Sequence, residues 1–263
     1  RSLQAAEALH PKNPNREIVH IRQRQFWIDG EGDIKNPVGM VGMRLEVEAL
    51  IIDGEKRSLQ NLVKAFDQAG VDIDDLIFSP IAAALAVLTP AQKELGVMLL
   101  DIGAGESDYA IFREGMLIDA GVIPVGGNLA TYDIAHMFKT STDVAEAIKQ
   151  KYGHASPDAF SKGDVVRLAE FIENETEIYS QRELAEVIRA RMADIFELAE
   201  KALRQNVRTM LLPAGVVIVG GSSFLPGLRE FAKKEMRMLV ERGVVQGIPL
   251  GETLGTGGAI AVS

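Results

Sequence analysis

The sequence contains no cysteine, which excludes disulfide bonds, thiol catalysis and every zinc or iron–sulfur site that depends on cysteine ligands. Aromatic residues are also scarce, at 6%, and tryptophan occurs once. No stretch of the sequence reaches the ~20 consecutive apolar residues of a membrane-spanning helix. One long uncharged stretch runs from Leu76 to Gln92 and contains Pro80 and Pro90, so we interpret it as a buried hinge helix.

Acidic residues outnumber basic ones, 37 against 28, which gives a net charge of −9 at pH 7. We expect no nucleic-acid partner, because phosphate backbones are bound through clustered Lys and Arg and the sequence has no such basic patch. The chain begins at Arg1 without a methionine, which indicates a processed chain or a fragment. No apolar leader marks it for export, so a cytoplasmic location is expected.

The composition, 47% hydrophobic and 25% charged over 263 residues, is that of a soluble globular protein with a sizeable core. Segments 16–29 and 40–53 are rich in β-branched and aromatic residues, which predicts two strands separated by a loop. Ser58 is the predicted N-cap of a helix that Gly70 ends. A short strand at Asp75–Phe78 and an alanine-rich helix over 80–89 follow.

The pattern changes after residue 96. Apolar Val97–Leu100 leads into a glycine-rich turn, and a second turn at Glu114–Gly115 separates two further strands, which predicts an antiparallel meander. Residues 128–210 are mainly helical in pattern, and the apolar stripe over Glu183–Gln205 is typical of a core-facing helix. A buried strand at Val216–Val219, a double-glycine turn and another helix complete this α/β region.

The octapeptide Asp101–Asp108, DIGAGESD, is predicted to join two of these strands by a hairpin of small residues. Such a hairpin leaves backbone N–H groups open to an anion, and phosphate is the natural ligand. Gly103, Ala104 and Gly105 are therefore candidate phosphate-binding residues. Asp101 is a candidate for holding Mg²⁺ through water, since hard cations prefer oxygen ligands. A plain glycine-rich hairpin is the alternative.

Gly220 and Gly221 lie between a buried strand and a helix, where two small residues let the backbone approach a flat ring or a phosphate closely. Ser222 follows directly. Phe224 either stacks on a base or fills the core. Packing alone also explains many such glycine pairs.

Glu146 and Lys149 share one helix face, because their spacing is i, i+3. Together they could grip a ribose and an adenine edge. The alternative is a surface ion pair, which contributes roughly a few tenths of a kcal/mol.

Taken in order, five segments resemble the actin-like ATPase superfamily, whose members share a ribonuclease-H-like α/β fold. They resemble the family's first connecting helix, second phosphate loop, adenosine-gripping helix, adenosine loop and second connecting helix. The segments are PIAAALAV at 80–87, DIGAGESD at 101–108, AEAIK at 145–149, IVGGSSFLPG at 218–227 and GTGGAIAV at 255–262.

Two further segments narrow the resemblance to the bacterial cell-division family FtsA: EGDIKNPVGMVGMRL at 31–45 and RELAEVIRAR at 182–191. The resemblance implies an α+β, SHS2-like subdomain called 1C, of which this chain holds a part. The implied boundaries are 1–72 for subdomain 1C, 73–95 for the return to subdomain 1A with the connecting helix, 96–127 and 213–263 for subdomain 2A, and 128–212 for subdomain 2B.

The resemblance also implies a function. Such a protein binds ATP and Mg²⁺ between its lobes, tethers FtsZ to the inner face of the cell membrane, polymerises at the septum and is at most a weak ATPase. The implied partners are the C-terminal tail of FtsZ on subdomain 2B, further copies in a filament, and other division proteins on subdomain 1C. Arg191 is the candidate for pairing with an acidic tail residue; alternatively it makes an ion pair on a solvated helix face.

Some expected parts do not occur in this sequence. The family's first phosphate hairpin and its C-terminal amphipathic helix are both missing, so we expect membrane contact only through a helix absent from this chain. Ala104 and Glu106 stand where the family usually has glycine and threonine. Ser79 stands where chaperone relatives have a glutamate that orients the attacking water. ATP binding is therefore expected more firmly than hydrolysis.

Two alternatives share the fold. A PilM-like ATP-binding scaffold of type IV pilus assembly has the same core and subdomain 1C, but segments 31–45 and 182–191 fit the division family better. A sugar or acetate kinase would need a general-base aspartate beside an acceptor pocket, and the sequence offers no convincing one.

Overall fold

The structure, a computed structural model, describes residues 6–8, 13–206 and 212–246. Within these residues the strands form three sheets, of three, five and two strands. The second connecting helix expected at 255–262 lies outside the described residues.

The three-stranded sheet is antiparallel, with strand order β2-β1-β3. Its strands are β1 (Arg16–Ile28), β2 (Glu31–Ile34) and β3 (Leu45–Glu55), and helix α1 (Lys56–Gln68) follows. The predicted second strand was placed too early, because residues 40–44 form a loop. Asp29 fixes the end of that loop by accepting hydrogen bonds from the backbone N–H groups of Met43 and Arg44, at 3.0 and 2.7 Å.

Helix α1 begins two residues before Ser58, so the predicted cap was wrong. Glu55 occupies the N-cap position, and the Ser58 hydroxyl donates to its Oε2 atom at 2.7 Å. The strand predicted at Asp75–Phe78 is not formed either. Phe78 is instead the N-cap of the next helix, and its backbone N–H donates to His20 Nε2 in β1 at 3.0 Å.

The alanine-rich segment forms two short helices rather than one, α2 (Ser79–Val87) and α3 (Pro90–Leu95). The chain is extended at Leu88, and Thr89 caps α3 by a reciprocal capping box with Gln92. Pro90 explains the break, because proline is accepted in the first turn of a helix but not in its interior.

The rest of the described chain forms the larger unit. Its helices and strands, in order, are β4 (Val97–Ile102), β5 (Ser107–Arg113), β6 (Met116–Ile123), α4 (Gly127–Phe138), α5 (Thr142–Tyr152), β7 (Val165–Arg167), β8 (Ile178–Ser180), α6 (Gln181–Asn206), β9 (Val216–Val219), α7 (Leu228–Met236) and β10 (Val240–Arg242).

The five-stranded sheet has the order β10-β9-β4-β5-β6. Strands β4, β5 and β6 form the predicted antiparallel meander, while β9 joins β4 in parallel. All six residues of β4 are buried. Met98, Leu100 and Ile102 face the core formed with α4–α7, and Val97 and Leu99 face the core that includes α2.

Helix α6 follows the predicted stripe, and its core-facing residues include Leu184, Ile188, Met192 and Ile195, all 2% exposed or less. The segment between α5 and α6 is less helical than predicted. It contains the two-stranded sheet of β7 and β8 and two short 3-10 turns.

Candidate functional site

A cavity of about 330 Å³ opens where β4 and β9 end. These strands are adjacent and parallel, so their carboxyl ends lie at the same edge of the sheet. The volume is within the range of small-molecule sites. Its walls come from the hairpin after β4, the first turn of α4, helices α5 and α6, and the turn after β9.

Most of the predicted nucleotide-binding residues meet at this cavity. Those that line it are Gly103, Ala104, Glu146, Lys149, Gly221, Ser222 and Phe224. Asp101, Gly105 and Gly220 do not line it. Sequence reasoning missed other lining residues: Gly127, Asn128, Ala130, Gln150, Gly153, Ile188, Met192, Leu225 and Pro226.

The hairpin of residues 103–106 is tight and offers free donors. Gly103 N–H donates to the carbonyl of Glu106 at 3.1 Å. The N–H groups of Ala104, Gly105 and Glu106 make no hydrogen bond with the described part of the protein. Three consecutive free amides are what an anion-binding hairpin requires. The Glu106 side chain is exposed and does not line the cavity.

The first turn of α4 holds this hairpin in place. The N–H groups of Gly127 and Asn128 donate to the carbonyls of Gly103 and Ala104, at 2.9 and 2.8 Å. A Cβ atom on Gly126 would lie 2.5 Å from the Ala104 carbonyl, so only glycine permits this approach. The amides at the start of α4 are thus used inside the protein, and the hairpin's own amides remain for a ligand.

Asp101 lies beneath the turn after β9 rather than in the cavity wall. It is 3% exposed, and neither carboxylate oxygen has a hydrogen-bond partner among the residues that the structure describes. Burial, and to a smaller extent the nearby Asp108 carboxylate, raises its pKa to about 6. Gly220, with φ at +84°, covers it so closely that a Cβ atom would lie 2.3 Å from Asp101 Oδ1.

Asp108 is a second, partly buried carboxylate here, and sequence reasoning missed its role. It pairs with Asp101 across β4 and β5, because a four-residue hairpin places the two ends of DIGAGESD opposite each other. Its Oδ2 atom accepts from the Ser79 hydroxyl at 2.7 Å, while the buried Oδ1 atom has no partner within the described part of the chain. Burial raises the pKa of Asp108, and the Ser79 hydrogen bond opposes that rise. Helix α2 is thereby tied to the strand that follows the 103–106 hairpin.

The Glu146–Lys149 pair lies between α5 and α4 and is partly buried. Lys149 Nζ is 2.7 Å from Glu146 Oε2, and it also donates to Thr131 Oγ1 at 2.7 Å and the Gly127 carbonyl at 3.2 Å. The Thr131 hydroxyl donates to Glu146 Oε2 at 2.6 Å. Burial alone would raise the pKa of Glu146, but hydrogen bonds from Lys149 and Thr131 hold it below its ordinary value.

The opposite wall is apolar. Ile188 and Met192 of α6 and Leu225 after β9 contribute aliphatic surface, and Phe224 contributes an aromatic ring at the rim. Phe224 is 55% exposed, so it does not fill the core. The guanidinium of Arg242 stacks over its ring, with Cζ 4.7 Å from the centroid. A cavity with one apolar wall and one polar wall suits a flat base attached to a sugar.

Arg191 lies on α6 away from the cavity lining. Its guanidinium donates to both carboxylate oxygens of Asp133 on α4 and to Asp194 at 3.2 Å. The hydrogen bonds with Asp133 raise the pKa of Arg191. The side chain is 37% exposed, so this ion pair remains accessible to solvent.

No group of three or more His, Asp or Glu side chains in the described part of the chain is arranged to hold a metal ion. No helix among the same residues is long and apolar enough to cross a membrane.

Known structures resemble this fold. A PilM–PilN type IV pilus biogenesis complex superposes with a TM-score of 0.64 at 18% identity, over 91% of this chain and 59% of that chain. MreB5 of Spiroplasma citri bound to ADP superposes with a TM-score of 0.57 at 18% identity, over 72% of this chain and 60% of that chain. The fold and the cavity at its strand ends define the class of the protein as actin-like.

The sequence comparisons give the family. The model of "Cell division protein FtsA" matches residues 98–256, and the model of "SHS2 domain inserted in FTSA" matches residues 1–53. The chain therefore belongs to the FtsA family of cell-division proteins.

Relatives agree with this assignment. Cell division protein FtsA of Bacillus subtilis is 38% identical over 216 residues, 82% of this chain and 49% of that protein. The Pseudomonas aeruginosa protein of the same name is 35% identical over 244 residues, which are 93% of this chain and 58% of that protein. The chain spans about half the length of these curated relatives.

Proposed function

We propose that this chain binds ATP in the cavity at the ends of β4 and β9 and contributes one side of a nucleotide-controlled assembly switch in cell division. The observation that carries the proposal is the meeting, around one cavity, of a hairpin that lines it through Gly103 and the free amide of Ala104, an acid–base pair and an apolar wall. Two neighbours in fold, both MreB5 of Spiroplasma citri, were solved with ADP and AMPPNP.

Each wall has a separate role in this proposal. The amides of residues 104–106 bind phosphate oxygens. Glu146 accepts hydrogen bonds from ribose hydroxyls, which a carboxylate does readily. The base lies between Gly221 and the apolar side of α6, where the absence of a side chain at Gly221 leaves open space.

Mg²⁺ is the cofactor that the donor set suits. Asp101 presents two buried oxygens without protein partners, and Asp108 presents one more. Hard oxygen donors of this kind suit Mg²⁺, which keeps several of its waters. When bound, the cation offsets phosphate charge. The two aspartates hold it, and Ser79 orients Asp108 from α2.

Assembly follows from a shift in population. A ligand favours one arrangement of two lobes only if it contacts that arrangement better. We assign residues 96–127 and 213–263 to subdomain 2A, 128–212 to subdomain 2B, 73–95 to the connection with 1A, and 1–72 to subdomain 1C. ATP contacts 2A and 2B through this cavity, and the Ser79–Asp108 hydrogen bond transmits the effect of ATP binding to helix α2.

Isothermal titration calorimetry with Mg·ATP tests the proposal. We expect saturable binding that Gly221→Val abolishes, because the added side chain occupies open space in the cavity rather than contacting the protein. Gly163→Val is the matched control, since a Cβ atom there would make only an ordinary contact, 3.9 Å from Ser161 Oγ, and lies outside the cavity. Equal affinity in all three proteins, or no binding by the unmodified chain, would refute the proposal.

The partner proposed for subdomain 2B is the acidic C-terminal tail of FtsZ, with Arg191 as its anchor. The guanidinium already binds Asp133 and Asp194, which shows that the site accepts carboxylates in a forked geometry. A tail carboxylate replaces Asp194, which is half exposed and contributes one hydrogen bond. The same family assignment supports the further proposal of membrane attachment and filament formation at the septum.

Fluorescence anisotropy of a labelled tail peptide tests this anchor. Arg191→Ala should weaken binding by about tenfold, as the loss of one charged hydrogen bond predicts. Asp194→Asn should strengthen it, because the internal competitor is neutralised. Arg182→Ala, on the same helix and exposed, is the control expected to change little. Equal losses of affinity for Arg182→Ala and Arg191→Ala would show that the peptide responds to the overall positive charge of the helix, and would contradict Arg191 as its anchor.

A further inference from the structure

Lys149 has no hydrogen left for a ligand. An ammonium group carries three N–H donors. In this protein three acceptors surround Nζ: Glu146 Oε2, Thr131 Oγ1 and the carbonyl of Gly127, at 2.7, 2.7 and 3.2 Å. The side chain is also largely buried, at 18% exposure. All three N–H donors of Lys149 are therefore used within the protein.

Thr131 is the centre of this arrangement. It is 4% exposed and lies one turn into α4, beneath the ion pair. Its oxygen accepts from Lys149, and its single proton goes to Glu146 Oε2 at 2.6 Å, a shorter contact than the 3.3 Å to the Gly127 carbonyl. A valine of the same shape would leave a lysine N–H and a carboxylate lone pair without partners.

The two oxygens of Glu146 are thereby made different. Oε2 accepts from both Lys149 and Thr131, and so points inward. Oε1 accepts only from the amide of Gln150, at 3.2 Å, on the exposed side. A carboxylate oxygen accepts about two hydrogen bonds, so Oε1 keeps capacity for one more donor. Glu146 and Gln150 both line the cavity, and Oε1 is therefore the oxygen left for a hydroxyl donor there.

The same residues connect the polar wall to the phosphate hairpin. Lys149 binds the carbonyl of Gly127, whose own N–H donates to Gly103 at 2.9 Å. A continuous set of hydrogen bonds thus extends from α5, through the first turn of α4, to the loop with the free amides.

We propose that Thr131 and Lys149 are positioning residues that hold Glu146 Oε1 towards a sugar hydroxyl and so determine selectivity for ribonucleotides over 2′-deoxyribonucleotides. This inference rests on the proposed nucleotide site. It assigns Lys149 an indirect role, in contrast to the direct contact expected from its spacing with Glu146. Thr131 has no chemistry that sequence pattern alone would single out, since a threonine within a helix is ordinarily structural.

The test compares Mg·ADP with Mg·2′-deoxy-ADP by calorimetry on the full chain. The unmodified protein should bind the ribonucleotide about tenfold more tightly, as one charged hydrogen bond predicts. Thr131→Val should reduce this ratio to about one to twofold. Thr131→Ser keeps the hydroxyl and should restore the tenfold ratio. A purely structural threonine would change both affinities together and leave the ratio intact.

A second variant covers the case in which Thr131→Val does not fold. Thr131→Cys has a similar shape and a weakly hydrogen-bonding sulfur, so its ratio should fall between those of valine and serine. An undiminished ratio in folded Thr131→Val or Thr131→Cys would overturn the inference while leaving the nucleotide site in place. Absence of binding by the unmodified chain to either nucleotide would overturn the proposed function as well.

Discussion

The two units of this chain treat their apolar residues differently. In the larger unit every residue of β4 is buried, and the apolar stripe of α6 is buried except at the partly exposed Val187. In the smaller unit neither β3 nor α1 has a buried residue, and Val41 and Met43 in the β2–β3 loop are 98% and 100% exposed. Both units carry clear apolar patterns. The difference shows that the apolar pattern of a helix or strand determines which of its faces is apolar. Burial of that face requires a second layer of structure that covers it.

The largest expected effect tests this difference in burial between the two units directly. Leu184→Ala in α6 should lower the free energy of unfolding by about 4 kcal/mol, because the side chain is fully buried and a cavity would remain. Leu62→Ala, the same change on the exposed face of α1, should cost less than about 0.5 kcal/mol. Urea denaturation measures both. Equal losses would show that α1 is packed as tightly as α6.

The next effect compares two neighbouring glycines. Gly220→Ala should destabilise the protein by about 3 kcal/mol, because φ is +84° and the new Cβ would meet Asp101 Oδ1 at 2.3 Å. Gly221→Ala should change stability by less than about 0.5 kcal/mol, since nothing lies within 4 Å of its Cβ position. Thermal unfolding of both variants checks this. A more stable Gly220→Ala than Gly221→Ala would contradict the assigned geometry of the turn.

The smallest effect concerns the contact between His20 of β1 and the backbone of Phe78 at the start of α2. Burial, assisted by the charge of Arg22, lowers the pKa of His20 below its ordinary 6.5, while Asp75 opposes this. The unfolded chain therefore takes up a proton first as the pH falls. The contribution of this contact to stability is therefore complete above pH 6.5 and is lost progressively below it.

The pH dependence of unfolding of a His20→Gln variant tests that contact. Glutamine can still accept the hydrogen bond from the Phe78 amide but does not titrate between pH 5 and 8. The difference in unfolding free energy between the two proteins should be constant above pH 6.5 and shrink below it. A difference that does not vary with pH would remove His20 as a titrating contact.

Much of the fold followed from local pattern. The meander of β4–β6, the stripe of α6 and the turn at Gly220 are set by alternation, helical spacing and glycine, which act over a few residues. The incorrect predictions have non-local causes. Residues 40–44 look like strand, but the Asp29 carboxylate holds the end of that loop, and the segment before α2 is held by His20 in a distant strand.

The candidate site shows the same limit. Motif spacing brought together Gly103, Glu146 and Gly221, because each motif places its own backbone. Asp108 and Thr131 could not be assigned from sequence, since their roles depend on partners 29 and 15 residues away, Ser79 and Glu146. The apolar wall at Ile188 and Met192 lay inside a stripe that indicated only core.

Hydrogen–deuterium exchange with and without Mg·ADP is the most direct test of the central claim, that the larger unit alone holds the nucleotide side of the site. The account predicts protection in peptides covering 103–106, 127–131, 146–153 and 221–226, with no change in 16–68. Protection centred on 16–68, or none in the four cavity segments at a saturating nucleotide concentration, would contradict it.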